Sequence, residues 1–237
     1  MKTANLALVL ALVVPACAPA HDAKDAGLRF MMLMKDASGG PALDAPSGFH
    51  ETGTVTRDGD TRTYETWGDF HALRTVSIMT RADGLSMTNG FDGTQAWQVG
   101  PDGTVQTDTS PETLAAARLG AYLTVGGYYW PERFPATFEY DGRKVADGLA
   151  YDVVTVTPDG AGPFDIWLDP DNHRLQRLTA MDGDQPFEGV VNTYDVVGGV
   201  SFAADTTQTI GGQTMAHKVT LYEFTDVPAE KFTPPPG

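Results

Sequence analysis

Glycine, most often preceded by aspartate, punctuates this chain. Asp-Gly recurs eight times, at 58–59, 83–84, 92–93, 102–103, 141–142, 147–148, 159–160 and 182–183, and Gly-Gly stands at 198–199 and 211–212. These are turn dipeptides, because a tight hairpin needs positive φ and Gly supplies it without steric cost. Between them lie short runs rich in Thr, Val and aromatic residues: 61–67, 94–99, 136–140, 150–157, 164–168, 174–181, 190–197, 206–210 and 215–224. Many short strands with regular turns predict a mainly β chain built on an antiparallel meander.

Two stretches read as helices. Residues 22–37 bring Leu28, Met31, Met32 and Met34 around one side and stop at Gly39-Gly40. Residues 110–123 open with Ser110 as N-cap and Pro111 at the first helical position, and Leu114, Ala117, Leu119 and Tyr122 offer an apolar face. The fold class is therefore α+β, with one or two helices laid on a sheet.

The first twenty residues are read as a signal peptide, with Lys2 ahead of an apolar run from Leu6 to Val14 that is too short to span a membrane as a mature helix. Two processing routes stay open. Ala18-Pro19-Ala20 is a small-x-small site cut before His21, whereas "VVPAC" is lipobox-like and would leave Cys17 as a lipidated first residue, although Pro15 departs from the usual pattern. Either route implies export to the periplasm; the first discards Cys17, and the second makes it a membrane tether, with the outer membrane a candidate destination. Residues 21–232 are then one domain and 233–237 a Pro-rich tail. A formal net charge of −15 repels phosphate backbones, so nucleic acid is set aside as a partner.

Polar clusters are the places where chemistry could reside. "WLDPDNHRLQ" at 167–176 gathers Asp169, Asp171, Asn172 and His173, but a calcium loop counted from Asp169 would place Arg174 at the glycine position and Ala180 at the bidentate acid. A hairpin turn is expected instead. Asp69 and His71, at i and i+2, would share one strand face as a catalytic pair, although a surface ion pair is the commoner fate. Asp108 in "QTDTSPE" belongs to the loop leading to the helix cap. No catalytic residue, metal ligand or cofactor is expected, and the role is expected to be non-enzymatic.

The aromatic residues carry the remaining signal. Residues 125–140 hold Tyr128, Tyr129, Trp130, Phe134, Phe138 and Tyr140, while Trp67, Phe91, Trp97 and Trp167 sit on separate strands. In a curved sheet with few helices, such residues either fill a core or line a hollow suited to a long hydrophobic ligand. The expected ligand-facing set is Trp97, Trp130, Tyr122, Tyr128, Tyr129, Phe91 and Trp67.

A family resemblance follows from residues already quoted. "ASGGPALDAPSGFHETGTV", "GFDGTQAWQV", "LAYDVVTVTPDG" with "IWLDPDNHRLQRL", "YDVVGGVSF" and "FTPPPG" resemble, in that order, the LolA and LolB-like periplasmic lipoprotein carriers and their relatives. The chain looks most similar to the amino-terminal module that precedes retropepsin-like domains in exported bacterial proteins. The resemblance implies an unclosed antiparallel half-barrel with helices capping its concave face. It also implies binding of lipid, an acyl chain or a lipoprotein, with an envelope protein as a further partner. The alternative is a structural or interaction module of a retropepsin-like protease system without its catalytic domain.

Overall fold

The computed structural model describes residues 20–236. Cys17 and both cleavage sites' upstream residues lie outside them. Helix α1 (Ala20–Ala37) leads through a 3-10 turn at Gly40–Asp44 into strands β1 (Gly48–Arg57), β2 (Asp60–Asp69), β3 (Arg74–Thr80), β4 (Ser86–Phe91), β5 (Ala96–Val99) and β6 (Val105–Asp108). Helix α2 (Pro111–Val125) and a 3-10 turn at Gly127–Tyr129 follow. The chain then runs through β7 (Ala136–Ala146), β8 (Leu149–Pro158), β9 (Phe164–Leu168), β10 (Leu175–Asp182), β11 (Gln185–Val197), β12 (Val200–Ile210) and β13 (Gln213–Phe224).

All thirteen strands form one antiparallel sheet, ordered β6-β5-β4-β3-β2-β1-β13-β12-β11-β10-β9-β8-β7, which curls without closing. Two meanders are joined at the middle by β1 and β13, so β6 and β7 lie at opposite edges although they are neighbours in sequence. The segment between them must cross the sheet. That segment is α2, and this connectivity lays the helix over the concave face.

The turn dipeptides act as expected at most positions. Asp58 and Gly59, with φ of 51° and 82°, connect the paired residues Arg57 and Asp60, and Gly211-Gly212 connects Ile210 to Gln213 in the same way. Both φ values positive is the type I′ geometry that matches strand twist. Asp141-Gly142 differs, lying inside β7 where the register slips between Tyr140 and Arg143. It forms a bulge rather than a turn. The bulge lets Arg143 reach Asp152 on β8, whose carboxylate also accepts from the Tyr140 hydroxyl at 2.8 Å. Desolvation acts to raise the Asp152 pKa, but these hydrogen bonds outweigh it and hold the group below the usual carboxylate range.

The 169–172 cluster is a turn between β9 and β10, as its residues predict. Asp169 accepts from the amides of Asp171 and Asn172 at 2.8 and 3.1 Å, and the chain returns through an Asp169 N–H to Arg174 carbonyl bond of 2.9 Å. Asp69 and His71 do not share a strand face. Asp69 ends β2, accepts from the amides of His71 and Ala72, and pairs with Arg74, so its carboxylate shapes the β2–β3 turn.

Hydrophobic residues are buried on both faces. The concave core joins Met31 and Met34 of α1 to Phe138, Val154, Ile166 and Leu168 of the sheet and to Tyr122 and Val125 of α2. A smaller cluster of Val76, Trp97 and Phe232 lies on the convex face, where the carboxyl-terminal segment crosses the sheet.

Candidate functional site: a groove beneath the crossing helix

The start of α2 is written locally. The Ser110 hydroxyl accepts from the Thr113 amide at 3.4 Å, and Asp108 accepts from the Ser110 amide at 2.7 Å. The helix ends at Gly126, with φ of 65°, the left-handed conformation that closes many helices. Tyr122 and Val125 anchor the carboxyl-terminal half in the core. Along nearly its whole length, Thr113, Ala116, Ala117, Gly120, Ala121 and Thr124 border the groove. These side chains are too short to fill the gap.

Strand register fixes the opposite wall. Across antiparallel neighbours, directly paired residues project from the same face. Gln106, Gln98, Asn89, Ser77, Thr66, Glu51 and Tyr222 are paired in succession from β6 to β13, so they form one row running under α2. Members of the row bond to one another: Thr66 to Ser77 at 2.7 Å, and Gln98 to Asn89 at 2.8 Å. Phe49, Thr75, Phe91 and Ala96 flank it on one side, and Tyr64, Met79 and Met87 on the other.

Between helix and row lies a groove of about 570 Å³, within the range of small-ligand sites. It continues past Thr124, Ser77 and Asn89 into a space of about 310 Å³ bounded by Glu51, Tyr64 and His217. Beyond Glu51 is an inner chamber of about 190 Å³ walled by Tyr128, Tyr129, Tyr194, Phe202 and Tyr222. The groove is thus polar along its floor, apolar along its sides and aromatic at its inner end.

Electrostatics distinguish the inner end. Burial raises the Glu51 carboxyl above the usual carboxylate range, partly opposed by the Tyr64 hydroxyl, which donates to its Oε1 at 2.5 Å. Burial lowers the His217 pKa. Tyr64, Tyr222 and Tyr194 are pushed up by burial and stay protonated. Burial also raises Tyr129, opposed by its hydrogen bond to Ser38. Among the described residues lining these three spaces there is no Lys or Arg.

The expected aromatic set divides. Phe91 walls the groove, and Tyr128 and Tyr129 wall the inner chamber. Trp97 also lines the groove, but its ring turns to the convex face: Phe91 pairs with Ala96, which turns the next side chain outward, and its indole N–H donates to the Phe232 carbonyl at 2.8 Å. Trp67 also faces outward, stacked on His50 at 4.8 Å with Lys231 over its ring. Trp130 is fully buried in solid core, its indole N–H bonded to Asp44 at 2.7 Å, because α1 and the following 3-10 turn close over it. Tyr122 lines a separate pocket of about 180 Å³ with Arg118 and Arg133, and its buried hydroxyl has no hydrogen-bond partner among the described residues. Of the three residues expected to converge on one hollow, Trp97 lines the groove, whereas Trp130 and Tyr122 lie elsewhere. Sequence reasoning missed Glu51 and the polar row, because each strand contributes one residue to the row and only strand pairing brings them together.

No protein-family model matches the sequence, and no curated protein matches it. Solved structures do resemble the fold. A DUF1329 family protein from Desulfovibrio piger ATCC 29098 superposes with a TM-score of 0.60 at 13% identity, over 89% of this chain and 97% of that one. A putative outer membrane lipoprotein-sorting protein domain from Vibrio parahaemolyticus superposes with a TM-score of 0.59 at 12% identity, over 88% of this chain and 97% of that one. The half-barrel capped by helices is therefore a fold that this chain shares with a lipoprotein-sorting domain and a DUF1329 protein.

Proposed function

We propose that the chain is a non-enzymatic carrier of the bacterial cell envelope whose groove beneath α2 takes the hydrocarbon part of a lipid or lipoprotein. The observation that carries this reading is the groove itself, held open because the facing residues of α2 are Ala, Gly and Thr. Burial of an acyl chain contributes about 0.8 kcal/mol per methylene, enough for micromolar binding from roughly ten methylenes. The fold shared with a lipoprotein-sorting domain, and the signal-peptide reading of residues 1–20 with Cys17 as a tether, support placement in the envelope.

Gly120 offers a direct test. A Cβ built there meets nothing within 4 Å, so a side chain at 120 projects into open space along the groove. An environment-sensitive fatty-acyl probe is expected to bind with micromolar affinity or better. Gly120→Ala should leave that affinity within a factor of about two, whereas Gly120→Phe, which occupies the groove, should weaken it by about tenfold or more. Absence of probe binding, or equal binding by the Phe variant, overturns the assignment of the groove.

A further inference from the structure

We propose that the inner end of the groove receives the ammonium head of a cationic amphiphile, with Glu51 as its counter-ion and the tail lying under α2. The proposal rests on the carrier reading and adds the chemistry of the head. Glu51 stands at the passage between groove and inner chamber and lines the spaces on both sides. Its hydrogen-bond partner is the neutral phenol of Tyr64, and no Lys, Arg or His pairs with it among the described residues. A carboxylate taken from water without a cation is costly, and such a group at the end of a cavity is a functional-site signature.

The charge of the groove points the same way. Asp108 lies at its mouth and Glu51 at its inner end, with no Lys or Arg between them. A fatty-acid carboxylate or an anionic phosphate head would meet like charge with nothing to neutralise it. An ammonium head meets an unpaired carboxylate. The chamber beyond is equally suited, since Tyr128 and Tyr129, whose rings meet edge-on at 4.8 Å, wall it together with Tyr194 and Tyr222. Ser201 also lines the chamber, and its buried hydroxyl has no hydrogen-bond partner among the described residues. Oxygen atoms there can accept N–H bonds, and tyrosine ring faces attract a cation without any.

Isothermal titration with single-chain probes of equal length tests this on the whole exported domain. The probes are dodecylammonium, dodecyltrimethylammonium and the uncharged dodecyl maltoside, each kept below its micelle concentration. At least one cationic probe should bind about tenfold or more tighter than the maltoside, a difference of about 1.4 kcal/mol. The stronger cation identifies the head, since only dodecylammonium donates N–H bonds to Ser201 and the tyrosines. Glu51→Gln should abolish the preference while keeping maltoside affinity, which also shows that the variant is folded. Glu132→Gln, the same charge change at an exposed site, should keep the preference. Equal affinities in the wild type, a preference that survives Glu51→Gln, or an equal loss in Glu132→Gln overturns the head-group proposal and leaves the carrier reading standing. Failure of every probe to bind overturns the carrier reading and this proposal together.

Discussion

Glu51 links stability to ligand chemistry. Two ionisable groups face it from neighbouring strands, Tyr64 of β2 and Tyr222 of β13, and burial keeps both phenols neutral. His217 lines the same space and is held neutral by its lowered pKa. The folded-state pKa of Glu51 is raised, so the folded chain binds its proton more tightly than the unfolded chain does. The cost of ionising it is absent below the ordinary carboxylate range, appears as pH rises through that range, and is complete above the raised folded value. Glu51→Gln is therefore expected to raise Tm at neutral pH by a few degrees, on the order of 1 kcal/mol for a chain of this size, and to leave it nearly unchanged in acid. Thermal melts across pH decide the matter. A variant less stable than the wild type at neutral pH would show that Glu51 holds the fold together.

Helix α2 matters because of where it starts and what it leaves uncovered. Its carboxyl-terminal end is fastened by Tyr122 and Val125, the face from Thr113 to Thr124 stands over the groove, and its first turns depend on the cap at Ser110. Ser110→Ala removes the hydroxyl that meets Thr113, and loss of an N-cap costs about 1 kcal/mol. The penalty should fall on the first turns, so hydrogen exchange is expected to quicken at residues 113–117 and stay unchanged near Tyr122. Uniform acceleration along the helix would mean that the cap supports the whole core. The bulge at Asp141-Gly142 is a second device at this scale, because the extra residue aims Arg143 at Asp152.

At the scale of the molecule, the two faces of the sheet carry separate loads. The concave face holds the groove. The convex face is covered where Phe232, fully buried, packs on Val76 and Trp97 and lies under Arg74 at 5.2 Å. Removing residues 228–237 strips that cover, and loss of a buried Phe costs about 3–5 kcal/mol. The truncated chain is expected to lose stability on that scale in denaturant titrations and to shift Trp fluorescence to the red. Probe affinity should stay within about twofold, because the groove opens on the other face. A matching loss of affinity would show that the strap and the groove act as one unit.

The amino-acid sequence by itself determined the features whose causes are local. Asp-Gly and Gly-Gly specified hairpins because positive φ is a property of single residues, Ser110-Pro111 specified the start of α2, and the Asp169 cluster specified a turn through its own backbone bonds. Strands β1, β3, β4 and β6 were less legible for a reason that bears on function. Glu51, Ser77, Asn89 and Gln106 face a groove rather than a core, so alternate positions there do not read as an apolar stripe. The aromatic residues were visible, but their faces were not. Pairing of Phe91 with Ala96 turns Phe91 inward and Trp97 outward, and no property of either residue alone decides that. Only the tertiary structure set the groove, because it exists where a helix must cross from one edge of an unclosed sheet to the other, and where register aligns Glu51 with the inner end of that path.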